Sequence, residues 1–384
     1  MKGRAALLLI LLLSATGGLT SCGGMELNER AFVLGIALDL DEHQQYRVTT
    51  QLYSSGQERS DNPATGNVIN IVSHGASIGE GVRDITLHLG RKAQWGHTQM
   101  LLIGEQLARS PRFREALDFF YRDDEPRLTL RLTVVKGEAG PYLEHHAYIE
   151  KSVSRQARNI QHISKKFSGK TTERNMLQLA LDLHSESGIA VLPYADDTGN
   201  RETRIYYKGG AIMRNGRMVA RLNAKQMPYY LMLKGDYSSG FLGMPCSDGG
   251  SSESLEILAL QRRVKLHPQG EELQVQYSLQ ISAIARELSC TALRTEQDAE
   301  RYTARIDRYL EEQLDRFSRG FMEQGLDVLA LGDAVHRRYP RVWTSWKPDW
   351  DKRLPRIRPR IDVQVHVVNL GLEGGTAVFG EDTH

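Results

Sequence analysis

RAFVLGIALD (30–39) and YRVTTQLY (46–53) are the stretches on which the reading of the fold turns. The first is an almost unbroken run of aliphatic and aromatic residues, which reads as a largely buried strand. The second alternates apolar and polar residues and reads as its half-exposed partner. Asp41 to Gln44 turn the chain between them, so an antiparallel hairpin is expected.

Outward from that hairpin, 54–67 is polar and carries Gly and Pro without a period, the composition of a loop. A strand over 68–73 follows. Ser77 and Glu80 fit a capping box, and Ile78, Val82, Ile85 and Leu89 recur at helical spacing, which predicts an amphipathic helix over 77–91. The apolar centre of 95–105 reads as a buried strand leading into a helix that Pro111 interrupts. Helical spacing resumes from Phe113 to Tyr121, a strand follows over 128–135, and the whole of 30–135 is expected to build one sheet. Residues 140–170 read as polar helix and 176–183 as an apolar helical face.

Pro193 to Arg201 is a linker by composition. Beyond it Asn215-Gly216 is the strongest short signal for a hairpin turn, here over 205–222, because a type I′ turn needs positive φ at both central residues. Residues 238–254 read as loop, 255–267 and 272–286 as a strand pair, and 361–367 as a last strand. The longest periodic element is 295–324, with Tyr302, Ile306, Leu310, Leu314, Phe317 and Phe321 on one face, as in a helix lying across a sheet. Fold class is therefore α+β, with mixed sheets and packed helices in three domains behind a leader. The expected division is a leader at 1–21, an N-terminal α+β domain at 22–200, a small middle domain with the hairpin at 201–254, and a C-terminal α+β domain at 255–384.

The leader carries Lys2 and Arg4, an apolar run from Ala5 to Leu13 and small residues from Ser14 to Gly18, which is the layout of a secretory signal. The run is about half of the roughly 20 residues that a membrane span requires. Leu19-Thr20-Ser21-Cys22 at its end resembles the lipobox of bacterial lipoproteins. That resemblance implies cleavage before Cys22, a diacylglyceryl group on its thiol, and an exported domain held at the membrane by acyl chains, each methylene contributing about 0.8 kcal/mol.

The 384 residues are 40% hydrophobic and 25% charged, with a net charge of +2, which supports packed globular cores and argues against a nucleic-acid partner. Cys246 and Cys290 are the other cysteines. They can pair in an oxidising compartment, but two cysteines in a chain this long make no disulfide framework, and the expectation is that they stay unpaired.

No residue set nominates catalysis, a metal or a cofactor. Gly169-Lys170-Thr171 lacks the earlier glycine of a phosphate-binding loop, where Ser164 stands. His97, His145 and His146 lack the spaced partners of a zinc shell. Asp123, Asp124 and Glu125 before Pro126 read as a solvated helix end. Trp343, Trp346 and Trp350 read as packing of a terminal helix on the last sheet, and Tyr229 to Leu233 as a buried element.

Several stretches then point one way together. Glu26 to Glu29 precede the first strand, Gly75-Ala76-Ser77-Ile78 opens a helix, and Trp95-Gly96-His97 with Gln99 leads to Ile103-Gly104-Glu105. Arg122-Asp123, Lys208-Gly209-Gly210-Ala211 before the Asn215-Gly216 turn, and the late Asp327, Trp343 and Trp350 follow in order. This series resembles the C-subunit lipoproteins of spore germinant receptors, the Ger(x)C family, over nearly the whole chain. The resemblance implies a non-enzymatic, three-domain α+β lipoprotein on the outer face of the inner spore membrane. It implies work beside A- and B-type receptor subunits that reside in the membrane, in nutrient-triggered germination. His97, Gln99, Arg122 and Asp123 are the positions expected at subunit contacts. The alternatives are a solute-binding lipoprotein with its own cleft between domains and, less favoured by the residues, an envelope hydrolase.

Overall fold

The computed structural model describes residues 29–53, 68–196, 205–246, 250–293 and 295–369. The leader with Cys22, the expected loop at 54–67 and the tail past Gly371 lie outside the described residues.

Thirteen strands are described, in two sheets. The first contains β1 (Arg30–Leu40), β2 (Tyr46–Tyr53), β3 (Val68–Gly75), β4 (Lys92–Gln94), β5 (Met100–Gly104), β6 (Arg131–Val135), β7 (Ile189–Asp196), β8 (Tyr206–Arg214) and β9 (Arg217–Leu222). Their order is β3-β2-β1-β5-β6-β7-β8-β9, with β4 pairing the start of β1. β1, β5, β6 and β7 run parallel in the centre, and antiparallel pairs form both wings. A central parallel sheet is covered on both faces, which is why β5 is a continuous apolar run. Leu101 and Ile103 face helices Ile78–Leu89 and Arg112–Arg122, while Met100 and Leu102 face helices Gly140–Glu144 and Val153–Phe167.

The N-terminal hairpin, the helix after Ser77, the apolar helix at 176–183 and the Asn215-Gly216 turn stand as read, except that β2 is buried along most of its length rather than half-exposed, because β3 and the flanking helices cover it. Asn215 (φ 53°) and Gly216 (φ 72°) both lie in the left-handed region that a type I′ turn requires. Ser77 accepts the Glu80 N–H at 3.2 Å, but the Glu80 carboxylate reaches one residue further back than a capping box would, to the Ala76 N–H at 2.7 Å. The helix stops at Leu89, where Gly90 takes φ 58°.

Other local readings are corrected. Of the linker 193–201, residues up to Asp196 belong to β7. Pro193 sits at a register shift in that strand, where a missing N–H is tolerated. The polar helical stretch 140–170 is two helices, split between Glu144 and Val153. The stretch 238–254 contains β10 (Gly240–Pro245), not loop alone. The hairpin assigned to a middle domain pairs through β8 with β7 and so extends the first sheet.

The second sheet is β10-β11-β12-β13, with β11 (Ser252–Gln269), β12 (Glu272–Glu287) and β13 (Arg360–Asn369). Helix Glu296–Glu323 lies across it and buries Tyr302, Ile306, Leu310, Leu314, Phe317 and Phe321, the face read from the sequence. Thr295 and Asp298 cap its start reciprocally, at 3.1 and 2.9 Å. Asp307 and Glu311 on this helix accept the Val365 and Val363 N–H groups at 2.8 and 3.0 Å. Edge donors of β13 are thereby used inside the fold rather than offered to another chain. Trp343, Trp346 and Trp350 are buried in the same core, and so is helix Met227–Lys234 with Tyr230 to Leu233.

One core joins the two sheets, because Ile189, Val191, Ile212 and Leu222 of the first pack with the second. Polar contacts close its rim. Asp333 accepts the Glu186 N–H at 2.9 Å and the Ser187 N–H at 3.2 Å, and the Glu186 carboxylate meets Lys347 at 2.8 Å and His336 at 3.2 Å. The Lys347 hydrogen bond holds the Glu186 carboxyl below the usual range. Its contribution is therefore present above the ordinary glutamate pKa and is lost as pH falls through the depressed value. Glu186→Gln is expected to lower stability by about 0.5–1 kcal/mol at neutral pH, since both partners are well exposed. The difference disappears below the depressed pKa, and urea midpoints at the two pH values check it.

Candidate functional site

Parallel strands place two of the expected contact residues, His97 and Gln99, at one end of the first sheet. Gly35 of β1 pairs with Met100 of β5, and Met100 with Arg131 of β6, so the starts of β5 and β6 lie side by side against the middle of β1. Just before β5, Trp95–His97 form a single tight turn, closed by the Thr98 N–H and hydroxyl on the Trp95 carbonyl at 3.0 and 2.7 Å. The His97 ring sits edge-on to Phe32 at 5.2 Å. Gln99 donates its N–H to the Leu34 carbonyl at 2.9 Å and accepts from Arg131 N–H at 3.2 Å. The side-chain oxygen of Gln99 is buried without a hydrogen-bond partner.

His97 and Gln99 line a cleft of about 500 Å³ together with Thr98, Arg127, Arg131, Arg158 and Asn175. Among the described residues no carboxylate lines it. Arg131 pairs with Glu173 at 2.5 Å, whereas Arg127 and Arg158 have no carboxylate partner among the described residues. The three arginines escaped the sequence reading because they lie on the approach to β6, on β6 itself and on a distant helix. Strand pairing is what brings them together.

Arg122 and Asp123 are elsewhere, at the end of helix Arg112–Arg122. Arg122 pairs with Asp118 one turn earlier at 2.7 Å, and Asp123 accepts the Glu125 N–H at 3.0 Å. The local carboxylate pair raises the arginine's pKa. Asp123 lines a second groove, of about 780 Å³, with Asp124, Glu125, Glu80, Asp84, Arg83 and Lys92. Its charge is acidic on balance, and Lys92 meets Glu125 at 3.5 Å. Trp95 lies in its wall, so the Trp95–His97 turn separates a basic cleft from an acidic groove. Of the four contact candidates, His97 and Gln99 thus line the basic cleft and Asp123 the acidic groove, while Arg122 is paired with Asp118.

The cysteines form a disulfide, Cys246–Cys290, contrary to the expectation of unpaired thiols. β10, β11 and β12 are adjacent antiparallel strands, with Pro245 opposite Ser252 and Ser254 opposite Glu287. The sheet therefore carries residues 246 and 290 to the same end, which no spacing in the sequence announces. Beside the bridge, the buried Glu253 accepts the Cys290 N–H at 3.3 Å and pairs with Arg305 of the long helix. With both sulfurs bonded, this cluster offers no thiolate to a metal.

Comparison with known proteins agrees with this architecture. Residues 23–196 match a family described as the spore germination protein N-terminal domain, and 208–371 one described as spore germination B3/GerAC like, C-terminal. The chain is 23% identical to spore germination protein B3 of Bacillus subtilis, over 91% of this chain and 93% of that protein. It is 20% identical to spore germination protein KC of the same organism, over 96% and 97% of the two chains. The crystal structure of the GerBC protein has the same fold, at a TM-score of 0.55 and 18% identity, covering 87% of this chain and 97% of that one. With both family domains matched in order over most of its length, the chain belongs to the GerAC-like, or Ger(x)C, family of spore germination proteins.

Proposed function

We propose that this chain is the lipid-anchored C subunit of a spore germinant receptor, held on the outer face of the inner spore membrane and working by assembly with A- and B-type subunits rather than by catalysis. The observation that carries the reading is the pair of family matches spanning 23–196 and 208–371 behind a leader that ends in Cys22. Among the described residues no helix is long and apolar enough to cross a membrane. Attachment in this reading comes from the diacylglyceryl group on Cys22. The acidic groove of Asp123, Asp124 and Glu125, with Arg122 at its margin, is the surface we assign to a basic segment of a receptor subunit.

The test is made in a spore-forming host that depends on this chain. Cys22→Ala is expected to release the protein from the membrane fraction and to abolish nutrient-triggered germination. Full membrane retention with normal germination would overturn the anchor.

A further inference from the structure

The basic cleft and the start of the polypeptide share one end of the molecule. Phe32, near the start of β1, touches His97 in the cleft wall, and ten residues separate Phe32 from Cys22. Even a fully extended chain spans at most about 3.5 Å per residue, so an anchor on Cys22 stays within about 35 Å of the cleft. Whatever surface holds the acyl chains is therefore within reach of Arg127, Arg131 and Arg158.

Apolar residues border the same cleft. Residues 174–177 run beside 128–132, with the Leu177 N–H on the Leu128 carbonyl at 3.0 Å and the Met176 N–H on the Leu130 carbonyl at 3.0 Å. Asn175, which lines the cleft, caps helix Met176–Leu183 by accepting the Gln178 N–H at 2.9 Å. Leu177 and Leu181, one turn apart on that helix, are 46% and 63% exposed, and Leu128 is 43% exposed. Single exposed leucines are ordinary, but three beside a cation-lined cleft form the mixed surface that lies in a lipid interface. Guanidinium groups bind phosphate through paired N–H donors, and the leucines enter the boundary between headgroups and acyl chains. Of the nearby acids, Glu173 offsets Arg131 and leaves Arg127 and Arg158 without a carboxylate partner among the described residues, while Glu125, Asp123 and Asp124 line the groove beyond the Trp95–His97 turn.

We propose that this end of the first sheet is a peripheral membrane face, on which Arg127 and Arg158, beside the Glu173-paired Arg131, hold the phosphates of acidic phospholipid headgroups while Leu128, Leu177 and Leu181 contact the interfacial layer. The inference rests on Cys22 as the anchor. It turns the acidic groove to the side, where a subunit embedded in the same bilayer reaches it, and it gives His97 and Gln99 to the lipid-facing cleft.

The test uses the mature chain carrying Cys22→Ser, so that no acyl group contributes, sedimented with large vesicles of phosphatidylcholine with or without phosphatidylglycerol. Binding is expected only with phosphatidylglycerol and is expected to weaken as salt rises. Arg127→Gln with Arg158→Gln weakens it roughly 30-fold, and Leu177→Ser with Leu181→Ser weakens it while leaving the salt dependence in place. An unchanged urea midpoint establishes that each variant is folded. Equal binding to neutral vesicles, wild-type binding by the arginine variant, or capture of an acidic peptide without vesicle binding would each overturn the proposal. Displacement from vesicles by millimolar inorganic phosphate would overturn it too, assigning the cleft to a free anion. Because the assay omits the acyl group on Cys22, its failure leaves the Cys22 anchor standing, and loss of the anchor leaves the vesicle result standing.

Discussion

Asp327→Ala is expected to lower the free energy of unfolding by about 3–5 kcal/mol, the largest loss from any single substitution considered for this chain. The Asp327 carboxylate is buried and accepts three N–H groups: Leu331 at 2.8 Å on one oxygen, and Gly332 at 2.7 Å and Trp350 Nε1 at 3.2 Å on the other. It thereby starts helix Leu331–Arg338 at a place where Ala330 takes φ 56°, a left-handed conformation unfavourable for a residue with a Cβ. It also fixes Trp350, whose ring meets Trp343 edge-on at 5.1 Å. Gly332 completes the knot, since a Cβ there would come within 2.8 Å of the Trp343 ring. Alanine leaves three buried donors without an acceptor, each costing about 1–3 kcal/mol before water and relaxation recover a share. Burial raises the Asp327 pKa above its ordinary value, against the pull of the three donors. A raised folded pKa means that the native state holds the proton more tightly than the unfolded one, so this group's contribution declines as pH rises through that value. The gap between wild type and variant is accordingly widest in acid and narrows toward neutrality. Urea unfolding at several pH values measures both, and a loss under about 1 kcal/mol at every pH would show that the knot is dispensable.

Elements whose signals are local were legible in the sequence. The β1–β2 hairpin, the Asn215-Gly216 turn and helix Glu296–Glu323 each follow from residues a few positions apart, through alternation, positive φ or a 3.6-residue period. β4 has only three residues and exists through its pairing with β1, and β10 is framed by glycine and serine that read as loop. Pro193 looked like a linker because its strand forms around a register shift that only the neighbouring strands define. The candidate site divides in the same way. His97 and Gln99 were found together because they are two positions apart in sequence, whereas Arg127, Arg131 and Arg158 reach them only through the parallel register of β5 and β6 and the helix laid over them. Arg122 and Asp123, adjacent to each other, proved to be occupied by local pairing, and Asp123 lines a different groove.

Replacing Cys246 and Cys290 together by serine is expected to lower stability by about 3–4 kcal/mol, the second large effect. The bridge closes a loop of 44 residues that contains the whole of β11 and β12 and begins just after β10. Crosslinking a loop of that size removes conformational freedom from the unfolded chain worth about 4 kcal/mol. A native-state contribution adds to this. Cys290 donates its N–H to the buried Glu253, and Arg305 pairs with that carboxylate and ties the long helix to the sheet end. Loosening residue 290 therefore exposes a carboxylate whose burial depends on its partners, and breaking such a pair costs more than making it returns. Adding a reductant to the wild-type chain should reproduce the loss seen in the double variant, and should leave the double variant itself unchanged. If wild type and variant unfold at the same urea concentration without reductant, the crosslink contributes nothing and the packed core alone holds the second sheet. The expected result instead makes the fold dependent on an oxidising compartment, which agrees with the export leader and Cys22 anchor proposed for the chain.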